Sequence, residues 1–241
     1  MKRLLIALLL HLVLYIGAVA QQPQVHNFSS QEYHGATQNW SIMQAPSNRM
    51  FFGNNEGLMV FDGDRWITHY VSNYSPVRAI CLDERTNWVY VGASNEFGYF
   101  ETDTEQHKAT YHSLIGLLPQ EHRSFGEIWN VFRADKDLIF QSKTDIFVYD
   151  PERKNMKVCD NGMRHECAAL IGDKVVMAGR SGVFTLQGTT LKALPGTEPM
   201  QGLIARAILP FGKKMLFVTN DNGIFVYDGQ ETKPYELPIS N

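Results

Sequence analysis

The chain has 241 residues, 44% hydrophobic and 20% charged, with 22 Lys+Arg against 25 Asp+Glu and a formal charge of −3 at pH 7. A mildly acidic chain without a basic block lacks the electrostatic footprint of a nucleic-acid binder, so that class is set aside. No CxxC, HExxH or comparable spacing occurs among its three cysteines and eight histidines, and no metal or cofactor is expected.

Residues 1–20 read as an export leader. Lys2 and Arg3 form the positive start, residues 4–16 an apolar run broken only by His11, and Ala18-Val19-Ala20 a small-residue cleavage site. The apolar run is short for a membrane span of about 20 residues. Cleavage after Ala20 would leave 20 Lys+Arg against 25 Asp+Glu, a charge of −5, on an exported, periplasmic chain beginning at Gln21. Residues 25–28 are apolar enough for an extra strand, and residues 31–38 are polar and loop-like.

Residues 51–70, FFGNNEGLMVFDGDRWITHY, read as two successive hairpins: a Gly/Asn-rich loop, a short apolar strand, an Asp62-Gly63 turn and a strand carrying Trp66 and Tyr70. Residues 220–229, NDNGIFVYDG, repeat the centre of this stretch almost verbatim. Three weaker copies lie between. Aligned on the apolar residue closing the third strand (Phe61, Phe100, Tyr149, Leu186 and Tyr227), the units are spaced 39, 49, 37 and 41 residues apart. Apolar runs upstream and a fourth strand downstream complete each unit, over residues 39–70, 77–114, 128–159, 166–194 and 205–237.

Four antiparallel strands in about 40–45 residues is the size of a β-propeller blade. A β-sandwich of irregular hairpins would also show short strands and turn signals. The near-verbatim copy four units away favours an all-β propeller of about five blades occupying residues 21–241. Between the second and third units, residues 102–108 suit a hairpin tip, and residues 113–123 a loop with one helical turn ended by Pro119. Cys81 reads as a small buried hydrophobe. Cys159 and Cys167, eight apart, allow a disulfide in an oxidising compartment, as the minor alternative to two free thiols.

The motif GNNEGLMVFDGDRWITHY resembles the propeller repeat of bacterial two-component regulators, of the form N-x-G-L-x-x-F-D-G-x-x-W-x-x-Y. Residues 89–100, VYVGASNEFGYF, are similar to the second blade of ligand-binding sensor proteins. In those proteins a triple-tyrosine domain, a membrane helix and a helix-turn-helix output follow the propeller; hybrid histidine kinases carry the same kind of propeller. The likeness is loose in units three and four, where Asp145 and Gly182 stand for the loop glycine. The resemblance implies an extracytoplasmic sensing module for a carbohydrate or similar nutrient signal, tied to a membrane only through downstream segments. It also implies about seven blades. Five units therefore suggest a truncated form, or a small ring that residues 25–28 help to close.

In a blade, the loop between strands two and three shares one end of the propeller with the connection to the next blade. Repeat symmetry therefore collects Asn54, Glu56, Arg78, Glu96, Arg123, Trp129, Arg164, Arg180, Arg206, Asn220 and Asn222 there. Amides, carboxylates, guanidiniums and an indole together suit a small polar molecule or an oligosaccharide, and a guanidinium-rich rim favours an anionic or polyhydroxyl one. Alternatively, Asn and Asp serve the turns and each Arg pairs with a neighbouring carboxylate. Trp40, Trp66, Trp88, Phe97, Tyr99, Tyr149 and Tyr227 are expected between the blades. The inner strands carry almost no carboxylates, which argues against a glycosidase and for a chain with no catalytic residues. A protein-interaction platform and a homodimer remain open alternatives.

Overall fold

The computed structural model describes residues 25–103, 108–159 and 162–236. The expected leader lies outside the described residues. Five four-stranded antiparallel sheets follow one another along the chain, each strand pairing with its neighbours in sequence. Blade 1 comprises β1 (Asn39–Gln44), β2 (Met50–Asn54), β3 (Gly57–Phe61) and β4 (Trp66–His69). Blade 2 comprises β5 (Ala79–Asp83), β6 (Trp88–Gly92), β7 (Phe97–Asp103) and β8 (Lys108–Ser113). Blade 3 runs through β9 (Asn130–Ala134), β10 (Asp137–Gln141), β11 (Ile146–Asp150) and β12 (Asn155–Cys159). Blade 4 holds β13 (Cys167–Ile171), β14 (Lys174–Gly179), β15 (Gly182–Gln187) and β16 (Thr190–Ala193). Blade 5 holds β17 (Ala205–Phe211), β18 (Lys214–Thr219), β19 (Ile224–Tyr227) and β20 (Thr232–Pro234). The architecture is the expected all-β propeller.

The repeat's turn chemistry explains these boundaries. Asp62, Asp150 and Asp228 each close a third strand, and each carboxylate accepts two backbone N–H bonds from the following turn. Asp62 takes Asp64 and Arg65 at 3.0 and 2.8 Å, and Asp228 takes Gln230 and Glu231 at 2.9 and 3.0 Å. Asp150 does the same with Glu152 and Arg153. At the opposite end, Asn54, Ser142 and Thr219 each use a short polar side chain to accept a loop N–H.

The central strands of blades 2, 3 and 4 are apolar on both faces because each of these blades is covered twice. Leu58 and Val60 of β3 pack toward blade 2, with Phe51, Val89, Val91 and Phe100. Blades 2 and 3 meet around Tyr90, Phe97, Phe140 and Phe147, with Phe97 stacked on Phe140 at 4.5 Å between centroids. Smaller cores join blades 3 and 4 through Ile139, Val148 and Met177, and blades 4 and 5 through Val176, Ala178, Ile208 and Phe217. Fully burying one such side chain is worth roughly 1.5–3 kcal/mol, so these four wedges dominate the stability of the fold.

Among the described residues no fifth core joins blade 5 to blade 1. Residues 25–28 form no strand, contrary to expectation, and a short helix, α1 (Ser30–Tyr33), follows them. This segment covers the face of blade 1 turned away from blade 2. Phe28 packs on Phe61 and Trp66 at 5.1 and 5.3 Å, and Tyr33 on Trp66 at 5.7 Å. The corresponding face of blade 5 leaves Leu209 45% and Phe211 43% exposed. The loop after β8 holds two short 3-10 turns, Ile115–Leu117 and Gln120–His122, on either side of Pro119. Cys159 and Cys167 are buried and not bridged to one another, so the disulfide alternative is not realised.

Two glycines test the turn assignment. Gly57 has φ +147, and a Cβ there would lie 2.3 Å from the His69 carbonyl oxygen; Gly223 has φ +79 with open space around it. Gly57→Ala should therefore cost roughly 3 kcal/mol and Gly223→Ala about 1 kcal/mol, measured by urea unfolding. Equal losses would contradict this reading. A second expectation concerns acid. Backbone donors from the Arg153 and Glu231 amides hold Asp150 and Asp228 below the ordinary carboxylate range. Their stabilisation is complete above the unfolded value near pH 4 and is lost as pH falls through the lower folded values. The urea midpoint should drop between pH 6 and pH 3, and Asp228→Asn should flatten that drop.

Candidate ligand-binding site

The residue opening each innermost strand occupies an equivalent position in all five blades. These residues are Trp40, Arg78, Trp129, Glu166 and Arg206. In blade 1 the pairing runs Asn39↔Asn54 then Ser41↔Gly53, so Trp40 is the extra residue of a β-bulge. In blade 5 the same irregularity between Ala205 and Ala207 leaves Arg206 unpaired. In blades 2, 3 and 4 the equivalent N–H groups of Arg78, Trp129 and Glu166 bond the carbonyls of Gly92, Gln141 and Ala178 at 2.8 Å each. A bulge re-aims the side chain it carries, here off the blade faces and out of the alternating pattern of buried residues.

Three of the five form a stack. The Arg78 guanidinium carbon lies 3.9 Å from the Trp40 ring centroid and 5.7 Å from that of Trp129. The two indoles are themselves 5.9 Å apart in an edge arrangement. Arg78 Nε donates to a Glu127 carboxylate oxygen at 2.9 Å, and Trp40 Nε1 donates to Asn55 Oδ1 at 2.7 Å. Trp40 is 38% exposed, so its expected place between blades is corrected: the bulge turns it away from the wedge.

Beside this stack opens a cavity of about 430 Å³, bounded by blades 3, 4 and 5 through Trp129, Asn130, Lys143, Glu166, Arg206 and Ile208. Lys143 Nζ sits 5.6 Å from the Trp129 ring centroid and has no acceptor among the described residues. Among the described residues Arg206 commits only its Nε, donating to Asn220 Oδ1 at 2.9 Å. Glu166 accepts from Arg164 Nε at 2.9 Å; that bond holds its carboxyl below the usual range, and Lys143 and Arg206 add to the effect. The cavity thus combines an indole wall, an amide, two cations with free donors and one neutralised carboxylate. Its volume is in the range of small-molecule sites, with a lining more polar than is usual for them and open to solvent.

The other expected residues separate into structural and peripheral ones. Asn54 is fully buried and belongs to the fold: its amide bonds the carbonyls of Ala36 and Gln38 and the side chain of Asn39, fastening the amino-terminal segment to blade 1. Glu96 is buried too, accepting from the Phe97 amide and the Tyr111 and Ser113 hydroxyls. Arg123 spends its guanidinium on the Leu118 carbonyl, closing its own loop. Glu56, Arg180 and Asn222 are exposed loop residues away from the cavity lining, and Arg180 reaches only the Gly202 carbonyl. Trp129 and Arg206 line the cavity, Arg164 and Asn220 bond residues that do, and Arg78 supports Trp129. Lys143 lies in the loop between strands two and three of its blade, a loop position expected on this end, whereas Asn130 is outside the expected set and its signal lay in following the Trp129 position.

No protein-family model and no curated protein matches the sequence. Solved structures do match the fold. The extracellular domain assigned to a one component system, BT4673 of B. thetaiotaomicron, aligns at TM-score 0.62 and 13% identity, over 82% of this chain and 28% of that one. The extracellular domain assigned to a hybrid two component system, BT3049 of the same organism, aligns at TM-score 0.60 and 15% identity, over 86% and 28%. The WD40 β-propeller domain of Doa1 gives TM-score 0.59 at 12% identity, over 84% of this chain and 70% of that one. The chain therefore spans under a third of the length of the two extracellular domains it matches.

Removing the central guanidinium should loosen the indoles. Arg78→Ala is expected to destabilise by about 2 kcal/mol, through the lost cation–π contacts and an unpaired Glu127, and to red-shift tryptophan emission. Arg78→Lys should recover part of the stability and little of the emission. A variant with wild-type melting and emission would show that the stack does not hold Trp129.

The comparisons show a β-propeller fold shared with these extracellular and WD40 domains, and the geometry shows an aromatic and cationic cavity on its inner strands.

Proposed function

We propose that the chain is the ligand-binding propeller of an exported sensing module and that it takes an oligosaccharide or similar polar nutrient in the cavity beside Trp129. The observation that carries this reading is the ring of matching positions. Five equivalent positions present two indoles, two guanidiniums and a carboxylate instead of one repeated structural residue, and three of them, Trp129, Glu166 and Arg206, line the cavity. Indole faces stack on sugar rings, and amide, guanidinium and ammonium donors meet hydroxyls. The likeness in fold to extracellular domains of signalling systems supports sensing, and the leader-like start supports export.

A glycosidase reading needs two carboxylates in acid and base roles. Glu166 is held by Arg164 and Glu127 by Arg78. Both are acceptors already satisfied by guanidinium donors, which favours binding without turnover.

The test is titration with a panel of plant and host-glycan oligosaccharides, followed by tryptophan fluorescence and calorimetry. At least one should bind without being cleaved. Trp129→Ala should weaken that binding at least about ten-fold, and Trp129→Phe should retain most of it. Hydrolysis of any panel member would replace this reading with an enzymatic one. Binding that survives Trp129→Ala would move the site elsewhere. Export is checked separately, by finding a mature amino terminus at Gln21 in periplasmic material.

A further inference from the structure

The charges around the cavity divide unevenly. Arg78 is committed to Glu127, and Arg164 to Glu166, each at 2.9 Å. Arg123 is turned into its loop. Of the guanidiniums expected on the rim, only Arg206 both lines the cavity and keeps its terminal nitrogens free of acceptors among the described residues. Lys143 joins it from the β10–β11 loop, beside the Trp129 face and without an acceptor among the described residues. Glu166, the one carboxylate in the lining, is already neutralised by Arg164. A cavity wall with two unsatisfied cations and no unpaired carboxylate is locally positive on a chain whose net charge is negative.

The cations approach from different blades, Lys143 from blade 3 and Arg206 from blade 5, with Asn130 and the Trp129 indole on the same lining. A neutral sugar would satisfy the indole and the amide but would offer half-buried Lys143 and exposed Arg206 only hydroxyl partners in place of water. A carboxylate or sulfate supplies the acceptor both lack, through shorter and stronger charge-assisted bonds. Resting on the sugar-binding reading above, we infer that the site is specific for an anionic saccharide, its ring against Trp129 and its acid group held by Lys143 and Arg206. Arg206 can offer a fork of donors to a planar carboxylate, and Lys143 a point charge to either anion. Asn220 fixes the Arg206 side chain through its Nε, so the remaining nitrogens are oriented before a ligand arrives.

The experiment uses the full chain and three probes: a galacturonic acid trisaccharide, a sulfated hexosamine disaccharide and neutral cellotriose, measured by calorimetry at 50 and 500 mM NaCl. An acidic probe should bind at least about ten-fold more tightly than cellotriose at low salt and lose most of that advantage at high salt. Lys143→Gln and Arg206→Gln should each weaken the acidic probe about five- to ten-fold, with unchanged melting temperature and a loss of cellotriose binding no greater than about two-fold, since only hydroxyl contacts are given up there. Lys143→Arg should keep most of the affinity. Preference between the first two probes distinguishes carboxylate from sulfate recognition. Cellotriose binding as tight as the acidic probes, indifferent to salt and to both Gln variants, would overturn the anionic class and leave the sugar-binding reading standing. Failure of all three probes and of the wider panel would overturn both.

Discussion

A four-stranded blade is apolar on both faces and cannot bury either one by itself. Everything else in this chain follows from that constraint. Leu58 and Val60 need Val89 and Val91, just as Phe97 needs Phe140 and Phe147. Each blade is therefore stabilised by its neighbours more than by its own hydrogen bonds, as in other stacked-repeat folds. The aromatic residues are concentrated between blades 2 and 3, where the ring stacking is densest. The aliphatic wedges between blades 3, 4 and 5 are thinner, and the candidate cavity opens on that side.

The same constraint governs the two terminal faces, which are treated differently. Blade 1 is covered by the amino-terminal segment, whose Phe28 and Tyr33 substitute for the wedge residues of a preceding blade. Asn54 ties that segment down with a buried amide that finds a partner for each of its polar atoms. Blade 5 presents Leu209 and Phe211 with only Tyr235 laid against the latter. On blade 1 the covering is local, supplied by the amino-terminal segment.

The candidate site uses the one position per blade that the wedges leave free. Because the opening residue of each inner strand stands in a bulge or bonds outside the regular register, it can vary without loss to the core. Trp40, Arg78 and Trp129 then stack on one another, while Glu166 and Arg206 bond Arg164 and Asn220. The stack of Trp40, Arg78 and Trp129 links blades 1, 2 and 3, and the cavity links blades 3, 4 and 5, with Trp129 common to both.

Much of this was legible in the sequence, because it depends on local chemistry repeated at a fixed spacing. The Asp-Gly and Asn-Gly turns, the apolar runs between them and the copy of residues 51–63 near residue 220 specified five blades and which end their loops share. The pairing of guanidiniums was another matter. Arg78 meets Glu127 across 49 residues and Glu96 is satisfied by hydroxyls 15 and 17 residues away, distances at which sequence carries no pairing information. Whether Trp40 faced the wedge or the axis depended on a one-residue bulge, which inverts the side on which a strand residue points. Residues 25–33 gave no repeat signal, since their role is to lie against Trp66 rather than to form a strand. Local turn chemistry and period-two burial were determined by the sequence alone; which charges stay unpaired, and therefore what the site can hold, was decided only when the tertiary structure brought distant blades together, because an ion pair depends on distance in space and not along the chain.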